Sequence, residues 1–185
     1  MTKICERLVC LDCHYLSTSL GVIVKLRPYQ NNDLQRLREA YRAGFRSPLL
    51  VAPTGYGKTV LFCYVAAGVA SRRKRVAILC HRVELIDQTI AALKNMGLTC
   101  GVIADGYEQD LTENIQVASV WTLKNRLYSV IDPDLVIIDE AHHCTLGNTW
   151  GAILKHWQNA KRLGDRKSTR LNSSHTDISR MPSSA

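Results

Sequence analysis

The stretch that most restricts the fold is Leu49-Leu50-Val51-Ala52-Pro53-Thr54-Gly55-Tyr56-Gly57-Lys58-Thr59, followed by the apolar run Val60 to Ala70. An apolar strand, a glycine turn and an apolar helix in direct succession form the setting of a phosphate-binding loop. Loop amides and the helix N-terminus gather partial positive charge where phosphates can sit. Gly55 and Gly57 can take positive φ and let the backbone come close to a ligand. Lys58 is placed to reach terminal phosphates and Thr59 to put its hydroxyl on Mg²⁺. Ala52 stands where the general pattern has its first glycine.

A second feature sits about 80 residues on. Leu135-Val136-Ile137-Ile138 is a continuous apolar run, the mark of a strand buried on both faces. It ends in Asp139-Glu140-Ala141-His142. Ligands of open parallel sheets lie beyond the carboxyl ends of the strands, so Asp139 is placed to hold Mg²⁺ and Glu140 to orient or deprotonate water. Acids after a strand also cap helices. The two features together favour the site over the cap. Between them, Val76 to Cys80 and Ile115 to Val120 read as strands, and Val83 to Met96 as a helix. Pro28 to Ala43 reads as an earlier helix with Leu34, Leu37 and Tyr41 on one face. The alternation predicts an α/β domain, a mostly parallel sheet with helices on both faces.

Composition adds limits rather than identity. Net charge is +8, which suits a polyanionic partner without establishing one. Seven cysteines, several in apolar runs, read as reduced thiols of a cytoplasmic protein. No stretch is long and apolar enough to span a membrane. Cys10-Leu11-Asp12-Cys13 is not read as a zinc site, because no second C-x-x-C follows at a suitable distance. Residues 1–23 form an extension that reads as non-native, with translation starting near Val22 or Val24.

These motifs resemble the first motor domain of superfamily 2 helicases, in the DEAH-type branch related to restriction-enzyme motor subunits. The resemblance covers about Lys25 to Gly164. Ala52 to Thr59 matches that superfamily's A-x-x-G-x-G-K-T form, and Val136 to His143 its motif II. The resemblance implies a single RecA-like domain that binds ATP and Mg²⁺. It implies Lys58, Asp139, Glu140 and His142 as catalytic residues, with Thr54, Gly55, Tyr56, Gly57 and Thr59 around the nucleotide. Leu26 to Gln30 is similar to the adenine-reading Q motif, which implies Gln30 on the base edge and Tyr29 or Arg27 near the ring. His81 to Gln88 and Val117 to Leu123 are similar to the strand-binding motifs, which implies phosphate contacts by Arg82, Ser119 and Thr122. Trp121, where relatives carry a polar residue, is assigned to the core. The family's partners are nucleic acid, with this branch leaning to DNA over RNA, and a second RecA-like domain that completes the ATP site.

After Gly164 the family pattern would continue into motif III. Asp165 to His175 instead reads as the translation of a common sequencing-library adapter, and Ser179 to Ala185 fits its later stretch. Residues 165–185 are therefore expected to be an artefact without order, and residues 24–164 an incomplete ATP-binding domain. The four Lys and Arg and two Asp of residues 165–185 carry +2, so +6 remains on the rest. The motor subunit of a restriction endonuclease and a non-catalytic nucleotide-binding module are the alternative functions.

Overall fold

A computed structural model of the chain describes residues 15–17, 23–145, 147–167 and 177–180. The short strands β1 (Tyr15–Ser17) and β2 (Ile23–Lys25) pair antiparallel, apart from the main sheet. Helix α1 (Pro28–Arg42) starts on a proline, whose missing N–H costs nothing in a first turn. The Gln30 side chain closes this end by accepting from the Arg27 amide at 2.9 Å. Buried Gln30, Asp33, Leu34 and Leu37 follow the helical period.

Strand β3 (Pro48–Ala52) runs through the glycine loop into α2 (Lys58–Ala70). The chain then continues through β4 (Val76–Cys80), α3 (Val83–Asn95), β5 (Gly101–Ile103), β6 (Ile115–Ser119), α4 (Val120–Arg126) and β7 (Leu135–Ile138). A 3-10 turn at Ala141–His143, helix α5 (Thr149–His156), β8 (Lys161–Lys167) and β9 (Asp177–Arg180) complete it. The sheet order is β5-β6-β4-β7-β8-β3-β9. All neighbours are parallel except β9, which lies antiparallel on β3.

Each central strand feeds two cores, because successive side chains leave opposite faces. Val76, Ile78, Ile115, Val117, Leu135 and Ile137 join Leu61, Phe62 and Ile86 under α1, α2 and α3. Ala77, Leu79, Ala118, Val136 and Ile138 join Leu123, Ile153 and Trp157 under α4 and α5. Two-sided burial is why these strands read as unbroken apolar runs. Burying each such side chain contributes roughly 1.5–3 kcal/mol. Cys63, Cys80, Cys100 and Cys144 are free thiols. Burial pushes the Cys63, Cys80 and Cys144 thiols up to about 12.

Three expectations meet a different outcome. The core position assigned to Trp121 is not observed: it is 65% exposed, because Val120, Thr122 and Leu123 take the buried face of α4. The segment set outside the domain is drawn into the sheet, with β8 running to Lys167 and Asp177 to Arg180 forming β9. Strand pairing uses main-chain groups, so polar residues can extend a strand that β3 and β7 already template. The third outcome concerns Thr122 and is taken up with the site. The C-x-x-C segment lies outside the described residues. Among the described residues, no helix is long and apolar enough to cross a membrane.

Candidate functional site

The site forms where β3, β7 and β8 end. β8 lies between the other two, pairing Gly164 with both Leu49 and Ile138. The loop after β3 and the acids after β7 therefore face each other across the end of β8. Gly55 and Gly57 have φ of 79° and 87°, in the left-handed region that glycine adopts without a Cβ penalty. A Cβ on Gly57 would sit 2.8 Å from Gln30 Nε2. The close approach reflects a lock on the loop: Gln30 Nε2 donates to the carbonyls of Tyr56 and Gly57, each at 3.2 Å. Gln30 is buried, and its amide serves the loop rather than an open base-binding edge. Tyr29 donates from its hydroxyl to the Tyr56 carbonyl at 3.2 Å and accepts from Arg27 Nη1 at 2.7 Å.

Asp33 was not singled out in the sequence, although its place on the buried face of α1 was legible from the period. Tyr56 donates its hydroxyl to the Asp33 carboxylate, and both residues are buried. Burial, then the bond to Asp33 and its charge, push the Tyr56 phenol upward. Tyr56→Phe should cost about 1–3 kcal/mol of stability, because a buried acceptor loses its donor. Urea unfolding checks it, and an unchanged midpoint would contradict it.

Helix α2 begins at Lys58 with no side-chain cap on its N-terminal amides, and the space around Gly55 is open. Uncapped amides at a helix start suit a phosphate group. Lys58 Nζ donates to the Ala52 carbonyl at 3.4 Å and pairs with Asp165 Oδ2 at 3.2 Å. Asp165 is fully buried, and its Oδ1 accepts from the Glu140 amide at 2.5 Å. The Asp139 carboxyl is pushed well above the usual range, first by burial, then by the charge of Asp165 and a hydrogen bond with it. Glu140 adds to the rise and Lys58 opposes it. Asp139 and Glu140, side by side across from the loop, are oxygen-bearing groups of the kind a hard divalent cation takes. The loop and the acids therefore suit a nucleoside triphosphate with Mg²⁺.

Glu140 itself is held at φ 56°, an uncommon conformation for a residue with a Cβ. Strain of this kind, of order 1–3 kcal/mol, clusters at functional sites. Its Oε2 lies 3.5 Å from His81 Nε2 and 3.4 Å from His143 Nε2. Burial lowers the His81 imidazole from its ordinary value, and the Glu140 charge partly opposes that. His142 is exposed, with its ring 4.2 Å from that of His143.

Cys80 and Ser119 are register partners, so the ends of β4 and β6 place Arg82 and Ser119 at the same rim of the sheet. Arg82 is exposed. Thr122 is 6% exposed, which corrects its assignment as a phosphate contact: its side chain packs inward, and Trp121 is the residue presented. A cleft of about 220 Å³ lies beside it, lined by His81, Trp121, His143, Asn148, Thr149 and Trp150.

The family described as "Type III restriction enzyme, res subunit" matches residues 23–164. The protein "Putative ATP-dependent helicase IRC3" of Saccharomyces cerevisiae is 32% identical over 145 residues, which is 72% of this chain and 21% of that protein. The Sulfolobus solfataricus SWI2/SNF2 ATPase core, solved with dsDNA, superposes with a TM-score of 0.63 at 17% identity, over 80% of this chain and 33% of that one. The UvsW helicase from bacteriophage T4 superposes with a TM-score of 0.61 at 17% identity, over 83% and 56% of the two chains. The structural likeness establishes a RecA-like fold. The chain spans about a fifth of the length of the curated relatives it matches.

Proposed function

Because this chain belongs to the family of the type III restriction enzyme res subunit, we propose that it is the ATP-binding domain of a DEAH-type motor that couples ATP hydrolysis to translocation on, or unwinding of, DNA. The observation that carries the reading is the convergence of Lys58, Asp139 and Glu140 at one end of the sheet, beside an uncapped helix start.

Bound Mg-ATP supplies the phosphoryl group and the divalent charge that hydrolysis needs. The chain's own residues do the rest. Loop amides from Thr54 to Gly57 and the start of α2 hold the phosphates, and Lys58 offsets their charge. Thr59 and Asp139 hold the cation. Glu140 takes the proton of the attacking water on its carboxylate. Tyr29 or Arg27 lies against the base, while Gln30 holds the loop in shape. His142 couples the site to the following strand. Arg82 and Ser119 contact the nucleic-acid backbone, which gives a salt-sensitive and sequence-independent grip. DNA is the favoured partner, supported by the dsDNA in the Sulfolobus solfataricus neighbour. A motor that draws DNA towards a nuclease is the second reading, favoured by the family's description. Buried reduced thiols support a cytoplasmic setting.

A second RecA-like domain of the parent protein completes the site. Residues 165–185 are adapter-encoded and residues 1–23 non-native in this reading. It is supported by the family match starting at 23 and stopping at 164, and by a charged Asp165 in the wholly buried interior of a central strand.

Alone, the chain should bind Mg-ATP weakly and hydrolyse it little, because an arginine supplied across the domain interface is worth ~10³–10⁵ in rate. In the intact parent, Glu140→Gln should lower nucleic-acid-stimulated turnover about 10²–10⁴-fold while leaving ATP binding in place. Steady-state ATPase assays test both. Unchanged turnover in the variant would make the domain a nucleotide-dependent switch, and strong ATPase from the chain alone would overturn the two-domain requirement.

A further inference from the structure

We propose that His81, Glu140 and His143 form a binding site for a divalent transition-metal ion of the zinc class, separate from the Mg²⁺ position at Thr59 and Asp139. One ligand atom from each of the three lies within 4.8 Å of the other two. Both imidazole Nε2 atoms converge on the same Glu140 oxygen, at 3.5 and 3.4 Å. Those distances are longer than a hydrogen bond between such groups, which runs ~2.7–3.2 Å. They match the ~3.3–3.4 Å between donors arranged tetrahedrally at ~2.0–2.1 Å from one ion. The remaining His81–His143 gap needs to close by no more than about 1.5 Å to reach the same spacing. The half-exposed His143 side chain can supply that movement.

His81 also lacks a hydrogen-bond partner for its ring. Both ring nitrogens of His81 are buried without a hydrogen-bond partner, and buried polar atoms left unpaired are costly. A metal ion gives Nε2 a partner. Two nitrogens and one oxygen select Zn²⁺, Co²⁺ or Ni²⁺ over Mg²⁺, which prefers oxygen throughout. Three protein ligands leave a fourth position open, and here the cleft beside Trp121 borders it. The backbone around the ligands is held on one side, since Asn148 Nδ2 donates to the His143 carbonyl at 2.8 Å. Nδ1 of His81 has no acceptor behind it, so affinity should fall about 10–100-fold below a fully supported site.

The site stands on geometry alone. Its consequence rests on the proposed role of Glu140: a bound ion would take that carboxylate away from water activation and so inhibit the motor.

The test is titration of the chelator-treated, reduced 185-residue chain with Co²⁺, read by ligand-field absorption, followed by displacement with Zn²⁺. One ion per chain is expected, with at least tenfold weaker binding in each of His81→Ala, His143→Gln and Glu140→Gln. His143→Gln alters a half-exposed side chain and keeps the test valid if His81→Ala fails to fold. A Cys10→Ser/Cys13→Ser variant should bind as the unsubstituted chain does. Cobalt–thiolate absorption that disappears in that variant would put the metal on the cysteines and overturn the proposal, as would unchanged affinity in His143→Gln. Mg-ATP affinity is measured on the same samples. Metal binding without nucleotide binding would leave this site standing and sink the proposed function alone.

Discussion

Asp165→Asn should tighten Mg-ATP binding by the chain about 10–100-fold, roughly 1.4–2.8 kcal/mol. In the unsubstituted chain the Asp165 carboxylate is fully buried and 3.2 Å from Lys58 Nζ. It therefore occupies the ammonium that the phosphates need, and it repels a polyanion at close range. One unit charge at ~5 Å and an effective dielectric near 20 is worth about 3 kcal/mol, so removing it should be felt strongly. Isothermal titration with Mg-ATP checks the result. Equal affinity for both proteins would mean that Lys58 is free to turn to the nucleotide without cost.

The same variant should change how stability depends on pH. Asp139 has a folded pKa above its unfolded value, raised by burial and by Asp165. A raised carboxyl contributes stability that is fully present below the ordinary value of 3.8 and is lost as pH rises through the higher folded value. The stability curve of the unsubstituted chain should therefore fall across that window. Asp165→Asn should flatten it, because the largest charge acting on Asp139 is gone. Urea midpoints between pH 4 and 8 measure this.

Lys58→Ala should have the second large effect, and on two quantities at once. Removing the ammonium leaves the Asp165 carboxylate buried without a counter-charge. Breaking one side of a buried pair costs about 3–5 kcal/mol. The double variant Lys58→Ala/Asp165→Asn should recover most of that stability. It should not recover nucleotide affinity: against Asp165→Asn alone, loss of Lys58 should cost about 2–5 kcal/mol of Mg-ATP binding. Thermal unfolding and titration on the four proteins complete the cycle. A Lys58→Ala single variant as stable as the unsubstituted chain would overturn the stabilising role of the pair.

Legibility followed the physics of each element. The runs Val76 to Cys80 and Leu135 to Ile138 were readable because both faces of those strands are covered, and Leu49 to Ala52 because one face is buried and the other partly so. The start of α2 was readable because a glycine pair followed by Lys-Thr specifies backbone shape and charge locally. β8 had no such signal. Its seven residues hold Leu163 as the one large apolar side chain, and it becomes central through main-chain pairing with β3 and β7. Trp121 faces out and Thr122 in because one helical step decides which side is buried, and α4 is too short to show its period in the sequence. The Gln30 amide was readable as functional but not in its partners, which lie 26 and 27 residues away.

The sequence by itself determined the parallel α/β class, the phosphate loop and the paired acids. Each depends on neighbours within one strand–turn–helix unit, where spacing and chirality leave few options. Only the tertiary structure decided which charges meet. Lys58, Asp139 and Asp165 become one electrostatic unit, and His81, Glu140 and His143 another, because parallel strands end at the same edge of one sheet. Separations of up to 107 residues collapse there to a few ångströms, and burial then sets the strength of every interaction among them.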